Sequence, residues 1–197
     1  ISFLFKSLGK LVLVFVKKRC HIHQQLCLMS RIQELWGQHV YWTRMFIISK
    51  AADLDDLEPV GKRLLQNPKD FAKLLTPIYG IKVAGRFEEL FTQHLTIAAD
   101  LLDAAKKGEV SKADAIRNRW YKNADEIAGF LDSVNPCWDK ARWKDMLYSH
   151  LETTEEEALL RFQGDYTADI NMFDRIENEA YKMADYMFCG IIKKCYR

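Results

Sequence analysis

The sequence predicts an all-α protein, an up-and-down bundle of about five amphipathic helices. Three observations carry that prediction. Apolar residues recur at three- and four-residue steps over long stretches, the period of one helical face. Only four prolines and nine glycines interrupt 197 residues, which leaves room for long helices. No alternating period-two stretch, Asn-Gly hairpin or strand-sized β-branched cluster competes with that pattern.

Residues 1–30 stand apart in composition. They carry Lys6, Lys10, Lys17, Lys18 and Arg19 and no acidic residue, and this +5 against a total of +2 leaves −3 on the rest of the chain. The longest uncharged apolar run, LVLVFV, is far short of the ~20 residues a membrane span requires. A signal peptide would place its basic cluster first and end in a small-residue cleavage site, and neither feature is present. Ile1 is an unusual first residue and Met29 opens the well-patterned region, so residues 1–30 are expected to be a basic apolar leader, either an upstream extension or a poorly ordered tail. Contact with a membrane surface is the other use such a segment would have. Residues 31–197 are then the bundle domain.

From Arg31 to about Asp53, Ile32, Leu35, Trp36, Phe46 and Ile47 define the first helix. Leu57 to Leu65 continues helically, and Asn67 followed by Pro68 reads as an N-cap and first-turn proline for a short helix to about Leu75. Past Tyr79 and Gly80 the pattern runs from Ile81 to Lys107 and stops at Gly108; Ser111, with Asp114 three residues on, reads as the cap of a helix reaching about Ser133. Asn135 and Pro136 break it, and Asp139 caps a shorter helix ending near His150. Thr153 or Thr154, followed by Glu156 and Glu157, reads as the start of a last helix to about Lys193, roughly 60 Å long. A helix of that length overhangs its neighbours or bends, most cheaply at Gly164. An overhang leaves Met183, Tyr186, Met187, Ile191 and Ile192 uncovered, as a surface for a homo-oligomer.

The near balance of 29 basic and 27 acidic residues excludes a dedicated nucleic-acid binder, which carries a strong basic excess. Cys20, Cys27, Cys137, Cys189 and Cys195 are odd in number and irregular in spacing, which fits free thiols in a reducing, cytoplasmic compartment. Cys20, His21, His23 and Cys27 offer zinc ligands, but their spacing is that of no recognised finger.

The most informative feature is an internal repeat. RIQELWGQHV at 31–40 aligns without gaps on RFEELFTQHL at 86–95, and more weakly on RWKDMLYSHL at 142–151, at offsets of 55 and 56 residues. RFQGDYTADI at 161–170 keeps Arg161 and Phe162 and puts Asp169 where the histidines stand. Seven residues make two helical turns, so His39 shares a face with Ile32, Leu35 and Trp36, and His94 with Phe87, Leu90 and Phe91. His150 and Asp169 sit likewise on apolar stripes. Four titratable groups therefore face the core, where burial without partners is costly. Three imidazoles and one carboxylate, His39, His94, His150 and Asp169, are a reasonable ligand set for a divalent transition metal such as zinc, iron or manganese. Ordinary buried histidines hydrogen-bonded across the bundle are the competing reading. Neither Glu-x-x-His pairs nor His-Glu-x-x-His occurs. Glu34 and Glu89 lie about 140° round the helix from their histidines, on the solvent side. Asn123 lies beside the apolar stripe of Trp120, Ala124, Ile127 and Leu131, where its amide serves a buried network or fills a packing defect. Met172, Met183 and Met187 read as packing.

The blocks LWGQHVYWTRM, RLLQNPKDFAKLL and WYKNADEIAGFLDSVNPCW resemble a family of small bacterial helical proteins without an established activity, many of them labelled acetylglutamate kinase. The resemblance spans about residues 31 to 193 and implies an all-helical fold. The label would imply ATP-dependent phosphoryl transfer, yet amino-acid kinases resemble a βαβ-rich fold with glycine-rich phosphate loops, and no such loop is present. No established catalytic motif appears, and the functional expectation is a bundle that binds a transition metal or small ligand through inward-facing histidines. A non-enzymatic interaction protein is the alternative.

Overall fold

The computed structural model describes the backbone of residues 2–195 and the side chains of residues 22–193. Seven helices succeed one another with short connections: α1 (Ser2–Ala51), α2 (Leu57–Leu64), α3 (Gln66–Tyr79), α4 (Ile81–Lys106), α5 (Val110–Val134), α6 (Lys140–Gln163) and α7 (Tyr166–Cys195). No strand occurs among the described residues. The fold is the all-α up-and-down bundle the periodicity predicts, and none of its described helices is long and apolar enough to cross a membrane. The side chains of residues 1–21, Cys20 and His21 among them, lie outside the described residues; within the rest of the leader, exposed His23 and Cys27 approach to 3.6 Å.

Some local signals act as read. The Asp139 side chain accepts from the Arg142 backbone N–H at 2.8 Å and caps α6. Others are overridden. Thr153 and Thr154 do not start a helix: α6 runs through them to Gln163, and Thr153 Oγ1 donates back to the Ser149 carbonyl at 2.9 Å, a bond available only inside a helix. The break falls at Gly164 instead, whose φ of 78° is the left-handed C-terminal geometry that glycine adopts without penalty. Ser111 and Asp114 form no capping box, since Asp114 pairs with Arg117 at 2.5 Å. Asn67 caps nothing either; it is buried, and its amide donates to the Leu35 carbonyl at 2.9 Å.

Six of the helices alternate in direction. His39 pairs with His150 and Arg44 with Glu157, which makes α1 and α6 parallel; Lys106 reaches the Lys50 carbonyl while His94 lies beside His39, which makes α4 parallel to both. These three helices touch one another at the centre. Between them pack α3, in the groove of α1 and α4, then α5, in that of α4 and α6, and α7, in that of α6 and α1. The short connections dictate this order, because a helix that follows after a few residues has only an antiparallel neighbouring groove within reach.

Parallel helices in register stack their inward residues in layers. Ile32, Phe87 and Trp143 form one layer, Trp36, Phe91 and Leu147 the next, all at most 2% exposed. His39, His94 and His150 follow, then the small residues Thr43, Ala98 and Thr154, then a satellite core of Ile47, Leu102 and Ala158. The last helix does not overhang. Shortened by the break at Gly164, α7 buries Met183, Met187 and Ile191 within the chain, where they pack with the main core. Trp138, in the α5–α6 connection, lies flat on α7 and donates to the Met187 carbonyl at 3.2 Å.

That packing depends on a hydrogen atom. A Cβ built at Gly190 would overlap the Trp138 indole. Because Trp138 is 1% exposed and rigid, Gly190→Ala is expected to lower unfolding free energy by about 2 to 3 kcal/mol in chemical denaturation, where substitution of the open Gly85 by alanine is expected to be neutral or stabilising.

Candidate metal centre

Three of the four core-facing titratable groups meet. His39 on α1, His94 on α4 and His150 on α6 are 1%, 1% and 2% exposed, and one ligating nitrogen of each lies within 4.8 Å of the others. The closest pair, His39 Nε2 and His150 Nε2, stands at 3.3 Å. The walls are aromatic: Trp36 meets the His39 ring edge-on at 6.0 Å between centroids, Phe91 lies 4.8 Å from His39 and 5.9 Å from His94, and Trp120 lies 5.4 Å from His94. Burial in this box holds all three imidazoles neutral. It pushes His94 down to about 3 and His150 down to about 4, and His39, with the other two histidines against it, well below its ordinary value. Neutral imidazole is the form that ligates a metal.

The tautomer of His94 is fixed from outside the cluster. Asn123 donates its amide to the Leu90 carbonyl at 3.1 Å, so its oxygen accepts from His94 Nδ1–H at 3.0 Å, leaving the Nε2 lone pair free. Asn67 holds the same relation to α1 that Asn123 holds to α4. Its amide donates to Leu35, four residues before His39, as Asn123 donates to Leu90, four residues before His94. Asn67 Oδ1 and His39 Nδ1 are both buried without a partner, one an acceptor and the other a potential donor. In α7 the corresponding position, 56 residues beyond Asn123, is Glu179, which accepts from the Ser149 hydroxyl at 2.7 Å and shares the Thr153 hydroxyl, at 3.0 Å, with the Ser149 carbonyl, on either side of His150. His150 Nδ1 is likewise buried and unpartnered. Asn67 reads locally as a cap and Glu179 carries no local signal; the recurrence at 67, 123 and 179, at the repeat interval, is the signal that marks both.

Asp169 does not join the histidines. It is 0% exposed, but it accepts from Arg44 through both oxygens, at 2.7 and 3.2 Å, and from Arg161 at 3.2 Å. Arg44 also pairs with Glu157. Its segment resembles the repeat only in letters, since residues 161–170 straddle the break between α6 and α7. The remaining candidates behave as solvent-facing or packing groups: Glu34 and Glu89 are exposed and pair with Arg31 and Arg86 at 2.6 Å each, and Met172 is core.

The chain matches no protein-family model, no curated protein and no solved structure. The chemistry of the centre therefore rests on its own geometry: three neutral nitrogen donors from three helices, converging in a site with no protein carboxylate among them.

A pH dependence follows with a definite sign. Native histidines here refuse protons that the unfolded chain takes up below about 6.5, so stability present at neutral pH is lost as pH falls from there toward about 4 and 3. At pH 5, His94 and His150 are each expected to remove on the order of 2 kcal/mol, read as a falling denaturation midpoint. A His94→Gln variant should show a shallower slope over the same window.

Proposed function

We propose that this protein is a transition-metal-binding helical bundle that holds one divalent ion, zinc, iron or manganese, on His39, His94 and His150. The observation that carries the reading is the 3.3 Å separation of two imidazole Nε2 atoms in a buried aromatic box. Two ligands on a tetrahedral ion at about 2.0 to 2.1 Å stand about 3.3 Å apart, so the pair already has the spacing that coordination needs. As a hydrogen bond the contact is long for N–H···N and leaves His39 Nδ1 and His150 Nδ1 buried without partners. A metal uses all three inward lone pairs and turns each outer nitrogen into an N–H donor, for which Asn123 already provides an acceptor and Asn67 Oδ1 stands unpartnered. Repetition at 39, 94 and 150 together with 67, 123 and 179 supports descent from one helix hairpin, triplicated, with an inner histidine and a polar residue, Asn67, Asn123 or Glu179, on the outer helix of each copy. A bound ion would supply Lewis acidity. The protein's part is to keep the imidazoles neutral, aim them and exclude bulk water.

Protein purified without a nickel column is expected to contain close to one equivalent of a transition metal by elemental analysis, and to lose thermal stability in chelator. His39→Ala or His94→Ala should each abolish binding, and the double variant should cost little more stability than either single one, because members of one site are not additive. Asn123→Leu, which keeps the ligands but frees the His94 ring, should weaken metal affinity by about 10- to 100-fold. Less than about 0.1 equivalent of metal, with additive losses of about 1 to 3 kcal/mol per histidine, would show that the histidines only pack.

A further inference from the structure

A histidine that ligates an ion through one nitrogen needs an acceptor for the N–H on the other, and the three copies of the repeat differ in what they offer. His94 Nδ1 has the Asn123 amide oxygen at 3.0 Å. Asn67, at the same position of the first copy, is an amide too, with its oxygen buried and unpartnered. In the third copy the residue is Glu179, the one member of the set that brings a carboxylate. The histidine of that copy is His150, whose Nδ1 is buried without a partner.

Glu179 is already bonded on both flanks of His150. Its Oε1 accepts from the Ser149 hydroxyl at 2.7 Å and its Oε2 from the Thr153 hydroxyl at 3.0 Å, one residue before the histidine and three after it on α6. Thr153 does not depend on the carboxylate. Its hydroxyl also lies 2.9 Å from the Ser149 carbonyl and 3.2 Å from the His150 carbonyl, so Oε2 can leave it without stranding a donor. Charge points the same way. Buried Glu157 and Asp169 each pair with arginine, whereas half-buried Glu179 pairs with no lysine or arginine among the described residues. A divalent ion on three neutral imidazoles keeps its full charge, and a carboxylate behind one of those rings compensates part of it. It also makes that imidazole the stronger donor to the ion.

We propose that Glu179 is a positioning residue of the metal centre: its carboxylate accepts from His150 Nδ1–H, fixes that ring, and gives an otherwise neutral ligand set its compensating charge. The inference rests on the metal reading. The test is made on the full chain, with zinc content measured on each sample and zinc affinity read by competition with a chelator. Glu179→Gln, which keeps the shape and removes the charge, should weaken zinc by about 10- to 100-fold and shift the visible absorption of the cobalt(II)-loaded protein. Glu179→Asp, which restores the charge on a shorter arm, should recover part of that affinity. Thr153→Val, which removes the hydroxyl that competes for Oε2, should bind zinc at least as tightly as the parent chain. In the unsubstituted zinc-loaded protein, proton NMR should place His150 Nδ1–H further downfield than His94 Nδ1–H, because its acceptor is charged. Zinc bound by Glu179→Gln as tightly as by the parent chain, equal losses in Glu179→Gln and Thr153→Val, or a His150 signal no further downfield than that of His94 would overturn this inference and leave the metal reading standing. Absence of zinc from the parent chain would overturn both.

Discussion

Three imidazoles buried together must all stay neutral, and much of the bundle is arranged around that requirement. A proton on any one of them would be a charge in an aromatic box, close to two other rings that would resist a second. Large side chains seal one side of the layer, and α5 brings Trp120 and Asn123 to the His94 ring from outside. The three histidines come from the three parallel helices at the centre, so the layer also fixes their relative register: a slip of one helix by a residue would turn its imidazole away from the others.

The charges excluded from that layer are gathered elsewhere. Arg44, five residues after His39, carries Glu157 and Asp169, with Arg161 on the far side of Asp169. These four residues tie α1, α6 and α7 together. Burial pushes the Glu157 carboxyl up to about 7 against the pull of Arg44. Asp169, in the first turn of α7, gains from the helix N-terminus as well as from two guanidinium groups. Arg44 also lies 4.8 Å over the Phe173 ring, so its apolar faces are covered while its N–H groups are used. A buried cluster of this kind adds little net stability over apolar packing, but loss of one member strands the others, which makes it a device for a single arrangement of three helices.

The repeat explains why a metal reading and a packing reading were both open from the residues alone. Helical period shows that His39, His94, His150 and Asp169 each face inward, and all four are buried. It does not show the depth along the bundle at which each one sits, and that is what separates a ligand from an ion-pair partner. Asp169 belongs to a helix running the other way, beyond the histidine layer, where Arg44 claims it. The amide of Asn123 was legible beside its apolar stripe, but that of Asn67 was hidden for a different reason. Asparagine before proline is a strong local cap signal, and only the neighbouring helix reveals that the Asn67 amide is spent on the Leu35 carbonyl.

Periodicity, sparse proline and glycine, and the absence of strand signals determined the helical class, most of the helix faces, the core and the inward direction of the three histidines, because these are local properties of a helical chain. The sequence also placed the stop at Gly108 and the cap at Asp139. Tertiary structure decided that α6 runs past Thr153 and Thr154 to Gly164, the position the sequence marked as the cheapest place to bend. Thr153, Thr154 and Glu157 carry the letters of a helix start, but Glu157 finds Arg44 across the bundle and Thr153 finds Glu179, so the helix continues to a glycine that nothing overrides. Capping preferences are worth about 1 kcal/mol, and a buried ion pair stranded by a broken helix costs several times that. Tertiary packing likewise covered the apolar end of α7 and placed Asp169 with arginine, neither of which a one-dimensional pattern encodes.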